Sequence, residues 1–449
     1  MRVPVIGLLS VFAALALAGS CAQAAPAARG MPKLACSAKA VGAPANTTLV
    51  SVKALLAPVA HCRFEGFVNA AGPGSAKVRF VLAAPQQWSG RFLFTAPAAV
   101  AFRAASVVAE AAAQPLRYGF AVASTDTDTH AAAMATQALA KRYYGRETFN
   151  RYVTGCSAGG DGVLTLAQTN PEDFDGYVAG GGDYGSASNV AAIARRVNQV
   201  PDAGIAPDEF IRIQAALMAR YDGADSAVDG LIWNGRVIRL DGADRKAMAF
   251  LSDAQWETLK LIAAPVRDAG GAVTAPGFWL TNPKLFADSL TGPDLAPTGD
   301  VAGGAAAGRL DPGALGALGT SGHKLVHWTG AADPVVSPEL VLGYADGAWK
   351  SFGSQTWGFY RAFVIPGLAH CQGGEGAPTD AADKALEAAV AWVETGLPPE
   401  ALNLSAAGAG QPSRTFRVCP WPQRSVFTGG ARNSKRLDVN DARNWVCKS

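Results

Sequence analysis

The chain has 449 residues, of which 49% are hydrophobic and 17% charged, and it carries a formal charge of +3 at pH 7. That length suits one large catalytic domain with an insertion. The weak charge, with no Lys/Arg block or aromatic-basic stripe, excludes a phosphate-tracking surface for DNA or RNA. Past the N-terminus no stretch reaches the roughly 18 apolar residues of a membrane span, so the processed chain is expected to be soluble.

Arg2, an apolar run from Val3 to Ala18 and then Ala22, Gln23 and Ala24 read as a signal peptide over residues 1–24, cleaved before Ala25. A secreted or periplasmic protein is expected. A lipoprotein reading through Cys21 is weaker, because Leu17 stands one place too early for a lipobox. Processing removes Cys21 and leaves Cys36, Cys62, Cys156, Cys371, Cys419 and Cys447. An even count in an exported chain points to disulfides, though connectivity is open on that ground alone. The positions fall into a pair near each terminus and two lone central residues.

Segments 77–82, 91–94 and 119–124 are short, apolar or β-branched, and bounded by Gly, Pro or Asp; they read as strands. Ala-rich stretches 104–113 and 131–144 read as helices between them, which gives the alternation of an α/β sheet. The segment 151–155 is a further strand, running into Cys156, Ser157, Ala158, Gly159 and Gly160 and then a helix through Gln168. Residues 183–321 differ in texture. Helical patches at 207–221 and 253–262 give way to Gly/Ala/Pro-rich sequence over 292–319, and Trp233, Trp256, Phe278 and Trp279 argue against a disordered linker. The sheet pattern resumes with strands 324–328 and 361–365 and a helix over 380–395. The chain thus divides into a core of residues 25–182 and 322–449, with 183–321 inserted as a lid over the sheet's carboxyl edge.

Gly155 to Gly159 is Gly-x-Ser-x-Gly in strand-turn-helix context, the setting of a nucleophilic serine on a turn too sharp for bulky neighbours. The Ala158 N–H is then placed to stabilise an oxyanion. Five histidines are present: His61, His130, His323, His327 and His370. The order serine, acid, histidine selects His370, in a loop after a strand. His327 lies inside a strand pattern and reads as core, while His61 and His130 precede the serine and read as surface or structural. Asp333, after strand 324–328, supplies the acid that orients the imidazole; an ordinary Asp-Pro turn is the alternative. Ser157 and His370 must approach within about 3 Å. Their neighbours Cys156 and Cys371 then come within the about 4.4–6.8 Å between Cα atoms that a disulfide requires.

Together these residues resemble the tannase and feruloyl esterase family, marked by Cys-Ser, Asp and His-Cys with the cysteines bonded. The likeness extends to 143–146 (Tyr-Tyr-Gly-Arg), 170–176 (Asn-Pro-Glu-Asp-Phe-Asp-Gly), 328–334 (Trp-Thr-Gly-Ala-Ala-Asp-Pro), 359–361 (Phe-Tyr-Arg), 366–371 (Pro-Gly-Leu-Ala-His-Cys) and 419–422 (Cys-Pro-Trp-Pro). The resemblance implies an α/β-hydrolase core with a lid, cleavage of small esters of hydroxylated or carboxylated aromatic acids, and disulfides Cys36–Cys62 and Cys419–Cys447. No organic cofactor is expected, and the oligomeric state is open.

Asp222, Asp225 and Asp229 lie among small residues and offer the hard oxygen ligands that Ca²⁺ takes. On spacing alone the loop reads equally as a solvated acidic turn. The resemblance implies a structural calcium site in the lid, with carbonyls from Ala227 and Leu231. Three departures from the family pattern stand out. Tyr221 occupies a position where relatives often have a bonded cysteine. Alanines at 98 and 99 replace a glycine-rich turn, which leaves Ala98 as the candidate second oxyanion donor. Asp161 stands where arginine is common. Rival readings are an acyltransferase with the same triad and a non-catalytic, calcium-stabilised phenolic-binding protein. Phe278 and Trp279 are candidates either for stacking on an aromatic acyl group or for lid packing.

Overall fold

The computed structural model describes residues 30–70, 72, 74–97, 113–127, 129–182, 189–202, 204–289, 310–407, 413–429 and 437–449. The signal segment, Ala98, nearly all of the helix expected over 104–113 and much of the Gly-rich stretch lie outside the described residues.

The strands in chain order are β1 (Thr47–Leu55), β2 (His61–Asn69), β3 (Lys77–Pro85), β4 (Arg91–Thr95), β5 (Ala121–Thr125), β6 (Asn150–Cys156), β7 (Gly176–Gly180), β8 (Val266–Arg267), β9 (Val273–Ala275), β10 (Lys324–Gly330), β11 (Tyr360–Ile365), β12 (Leu402–Ala406), β13 (Arg414–Val418), β14 (Arg424–Phe427) and β15 (Trp445–Lys448). Nine of them form one sheet in the order β1-β2-β3-β5-β4-β6-β7-β10-β11. β1, β2, β3 and β5 pair antiparallel, and every pairing from β5 through β4 to β11 is parallel. The parallel half behaves as composition dictates: β5 and β7 are built of small and β-branched residues and are buried along their whole length, because helices cover both faces.

Helix Thr129–Tyr144 packs on β3 and β5 through Ala132, Ala133, Leu139 and Ala140, small side chains that let backbone approach backbone. Helices Pro338–Phe352 and Ala381–Thr395 pack against β10. This is an α/β-hydrolase architecture. β1 and β2 extend the sheet beyond the strands read from the sequence; β1 alternates threonine, serine and lysine with apolar residues on a mostly solvated face, so it carries little hydrophobic signal.

The chain leaves the sheet after β7 and returns at β10. The described residues between hold helices Asn189–Val197, Pro207–Tyr221, Gly242–Ala247 and Asp253–Ala263. Helix Asp253–Ala263 starts where Ser252 and Gln255 cap one another, the Ser252 Oγ accepting from Gln255 N at 3.1 Å and Gln255 Oε1 from Ser252 N at 2.9 Å. These helices share a core of their own, including Ile193, Phe210, Ile213, Leu217, Met248, Leu259, Ile262, Phe278 and Phe286. Disulfides join Cys36 to Cys62 and Cys419 to Cys447. The second ties β13 to β15, and the segment after Cys419 docks on the free edge of β11, Trp421 N donating to Ala362 O at 2.8 Å.

Candidate active site

β6 ends at Cys156 and helix Ala158–Thr169 begins at once, so Ser157 carries the whole reversal at φ 59° and ψ −130°. For a non-glycine residue this is a costly backbone conformation. It persists because the flanking chain is too close to relax: a Cβ on Gly155 would lie 2.3 Å from the Gly159 carbonyl oxygen, and one on Gly160 2.2 Å from that of Gly180. The Ser157 N–H donates to Gly180 O at 3.0 Å, locking the turn to β7. The Ala158 N–H, first in its helix, has no intrahelical acceptor.

Asp333 lies three residues beyond β10 and is only 1% exposed. Its Oδ1 accepts from the N–H groups of Val335 and Val336 at 2.8 and 2.9 Å, and its Oδ2 pairs with His370 Nδ1 at 2.8 Å. The carboxylate is thus saturated, and with Nδ1 engaged the imidazole offers Nε2 to its other side. Gly181 fixes where that side is. A Cβ placed on it would sit 3.5 Å from Cys156 Sγ, 3.7 Å from Asp333 Oδ2 and 3.8 Å from His370 Cε1, so one point touches the carboxylate, the imidazole and the residue beside Ser157. Cys156 and Cys371 are disulfide-bonded with Cα atoms 6.0 Å apart. The bond spans 215 residues and ties the serine turn to the histidine loop.

The other histidines are committed elsewhere. His327 is fully buried in β10 beside the Tyr360 hydroxyl at 2.7 Å, and burial pulls its pKa down to about 3, so it stays neutral. His61 Nδ1 faces Val59 O at 2.8 Å, His130 pairs with Asp173 at 2.6 Å and His323 with Glu172 at 3.2 Å. Near the expected second oxyanion donor, the Ala96 N–H is already given to Thr154 O at 2.8 Å, and Pro97 has none to give. Ala98 itself lies outside the described residues. The Asp161 carboxylate packs against Gly182, where a Cβ would come within 2.3 Å of it; its replacement of an arginine has no functional account. Phe278 and Trp279 are both buried: Phe278 packs edge-on against Phe286, and Trp279 donates its Nε1 proton to Glu339 at 2.8 Å.

The acidic loop closes on backbone donors. Asp222 accepts from the N–H groups of Asp229 and Gly230 at 2.9 and 3.1 Å, Asp225 Oδ2 accepts from Trp233 N, and Asp229 accepts from Leu231 N and Trp233 Nε1. Arg414 of β13 pairs with the Asp229 carboxylate. Trp233 stacks on Trp445 at 4.2 Å between ring centres, so the loop docks on the C-terminal strands. Tyr221 donates its hydroxyl to Asp244 at 2.8 Å, a hydrogen-bonded brace. Among the described residues no group of three or more His, Cys, Asp or Glu side chains is gathered to hold a metal. One observation fits a hard cation: Asp225 Oδ1 is buried without a hydrogen-bond partner. Burial, with repulsion from Asp229 and Asp222 against the Trp233 N–H, pushes the Asp225 carboxyl up to about 8.

The model of the tannase and feruloyl esterase family matches residues 127–275 and 313–442. The chain belongs to that family. It is a carboxylic ester hydrolase. A probable feruloyl esterase B-1 of Aspergillus terreus is 26% identical over 378 residues, covering 72% of this chain and 70% of that protein. The mono(2-hydroxyethyl) terephthalate hydrolase of Piscinibacter sakaiensis is 25% identical over 411 residues, covering 70% of this chain and 66% of the other. In structure, feruloyl esterase B from Aspergillus oryzae superposes with a TM-score of 0.74 at 20% identity, over 90% of this chain and 97% of that one. Tannin acyl hydrolase from Aspergillus niger gives 0.68 at 16% identity, over 90% of each chain. These likenesses carry the fold across nine-tenths of the chain.

Sequence reasoning missed the Val335 and Val336 amides that hold Asp333, although Asp-Pro at 333–334 is a turn-forming pair whose carboxylate reaches nearby N–H groups. It also missed Gly181 and Arg414, for which no local signal exists; both act through partners distant in sequence.

Proposed function

We propose that this chain is an exported serine esterase that hydrolyses small esters of hydroxylated or carboxylated aromatic acids through an acyl-enzyme. The carrying observation is the Asp333–His370 pair at 2.8 Å, bonded through Cys371 and Cys156 to the strained turn of Ser157. His370 Nε2 takes the Ser157 proton as Oγ attacks the ester carbonyl. The Ala158 N–H, with Ala98 as the second donor, receives the oxyanion. His370 passes its proton to the leaving alcohol, then draws one from water, and the hydroxide cleaves the acyl-serine to acid and free enzyme. Asp333 stays ionised and holds the ring. The aromatic acyl preference is supported by the named activities of the relatives, and export by the N-terminal segment and three disulfides.

Methyl ferulate, methyl gallate, chlorogenate and a terephthalate monoester, offered to wild type and to Ser157→Ala, test the reading. At least one is expected to be hydrolysed by wild type and none by the variant. Equal turnover by both would remove Ser157 from the mechanism, and wild-type turnover of aliphatic esters alone would remove the aromatic preference.

A Ca²⁺ ion is proposed at the acidic loop as a structural ligand, with Asp222, Asp225 and Asp229 as side-chain donors and Ala227 and Leu231 as carbonyl donors. Its support is the partnerless Asp225 Oδ1, and its role is to neutralise buried carboxylates, apart from the ester chemistry.

A further inference from the structure

Among the described residues several half-buried arginines find a carboxylate, and three of them present one edge of the guanidinium to it. Arg91 presents Nε and Nη2 to Glu394, each at 2.6 Å. Arg151 presents the same edge to Asp175 at 3.2 and 2.7 Å, and Arg236 to Glu339 at 2.7 and 2.5 Å. Of the two most buried arginines, Arg414 pairs with Asp229. The other is Arg361, 7% exposed at the start of β11, and it makes no ion pair among the described residues. Its Nη1 donates to the carbonyls of Trp357 and Tyr360, and its Nε is buried with no acceptor. That edge is the one the other arginines present to a carboxylate in two parallel bonds. The guanidinium lies over the rings of Trp357 and Trp392, 4.2 and 5.2 Å from their centres, and burial holds the Arg361 pKa down to about 10.

Arg361 lines a cavity of about 590 Å³ shared with Trp357, Pro399, Glu400, Arg417 and Pro420. That is the size range of small-ligand sites. Arg417 also makes no ion pair among the described residues, and neither does Glu400, so the lining carries two arginines against one glutamate. The half-buried Trp357 ring, with the guanidinium of Arg361 4.2 Å from its centre, and the two prolines supply flat apolar walls. The cavity is framed by β15 and the Cys419–Cys447 bond. It lies at the opening residues of β11, whereas His370 follows that strand's far end, so it is a different place from the ester site.

We propose that this cavity is a second binding site, for a small organic acid whose carboxylate, carried on a ring, lies against the guanidinium groups of Arg361 and Arg417 while the ring lies on Trp357. Two sources share that chemistry: an aromatic acid and a sugar acid within a polysaccharide. The assignment stands whether or not the ester reading does.

Calorimetric titration of the whole oxidised protein with sodium ferulate, sodium galacturonate and neutral galactose tests it, in wild type, Arg417→Gln and Arg361→Gln. Saturable binding of at least one acid is expected, none of galactose, and at least about a tenfold weaker affinity in Arg417→Gln, the loss of one charge-assisted contact. Arg417 is partly solvated, so this variant stays interpretable where Arg361→Gln misfolds; hydrolysis of a neutral aryl ester by Arg417→Gln is expected to match wild type. Binding of galacturonate assigns the site to a sugar acid, and binding of ferulate alone to an aromatic acid. Equal affinity of wild type and Arg417→Gln for every acid that binds, equal binding of galactose and galacturonate, or no binding of either acid would overturn the proposal.

Discussion

Asp333 and Asp225 are both carboxylates taken out of water, and their surroundings treat them in opposite ways. Asp333 receives two backbone N–H bonds on one oxygen and the imidazole on the other, so both its oxygens are engaged and its position is fixed. Asp225 has Trp233 N on Oδ2 and no well-formed hydrogen bond on Oδ1, with the Ala227 N–H in favour of its charge and Asp222 and Asp229 near enough to repel it. A saturated buried carboxylate holds another side chain in place; an unsaturated one is a place where a cation belongs.

The contrast is broken or sharpened by four changes, taken from the largest effect down. Replacing the proposed nucleophile, Ser157→Ala, is expected to lower kcat on an aromatic ester by about 10⁴-fold or more, with the melting temperature held or raised as the strained turn relaxes. Asp333→Asn keeps the shape but misdirects the imidazole, and about a 10⁴-fold fall in kcat is expected with little change in KM; a shift in KM alone would mean that Asp333 supports substrate binding instead. Converting Cys156 and Cys371 together to alanine removes a bond closing a long loop, worth up to about 5 kcal/mol in the chain-entropy description. Urea unfolding is expected to show a loss of several kcal/mol with kcat also reduced, and unchanged activity would mean that the bond serves stability alone. At the other carboxylate, calcium chelation is expected to lower the melting temperature of wild type by several degrees and that of Asp225→Asn far less. Identical responses of the two proteins would remove Asp225 from any cation site.

Much of this contrast was readable in the sequence, and what escaped it has a physical reason. Ser157, Asp333 and His370 announce themselves because each sits just past a buried strand, and buried parallel strands are the plainest hydrophobic signal in the chain. The glycines around Ser157 were readable for the same reason: backbone must pass within van der Waals reach of backbone there. β1 escaped because an antiparallel edge with one wet face is only partly apolar, and β2 because Arg63 and Glu65 interrupt its buried residues. The occupation of Asp229 by Arg414 escaped because 185 residues separate the partners, and no local pattern encodes such a meeting. Phe278 and Trp279 show the converse limit. Their presence was legible, but whether an aromatic faces a ligand or its neighbours depends on packing, and here both face inward.

The central claim is that Ser157 forms the acyl-enzyme. Labelling the folded protein with a fluorophosphonate, mapping the adduct by peptide mass and following hydrolysis of an aromatic ester in the same samples tests it most directly. One adduct on Ser157 is predicted, with turnover lost in proportion to labelling; full turnover in protein whose Ser157 is completely labelled would contradict the account.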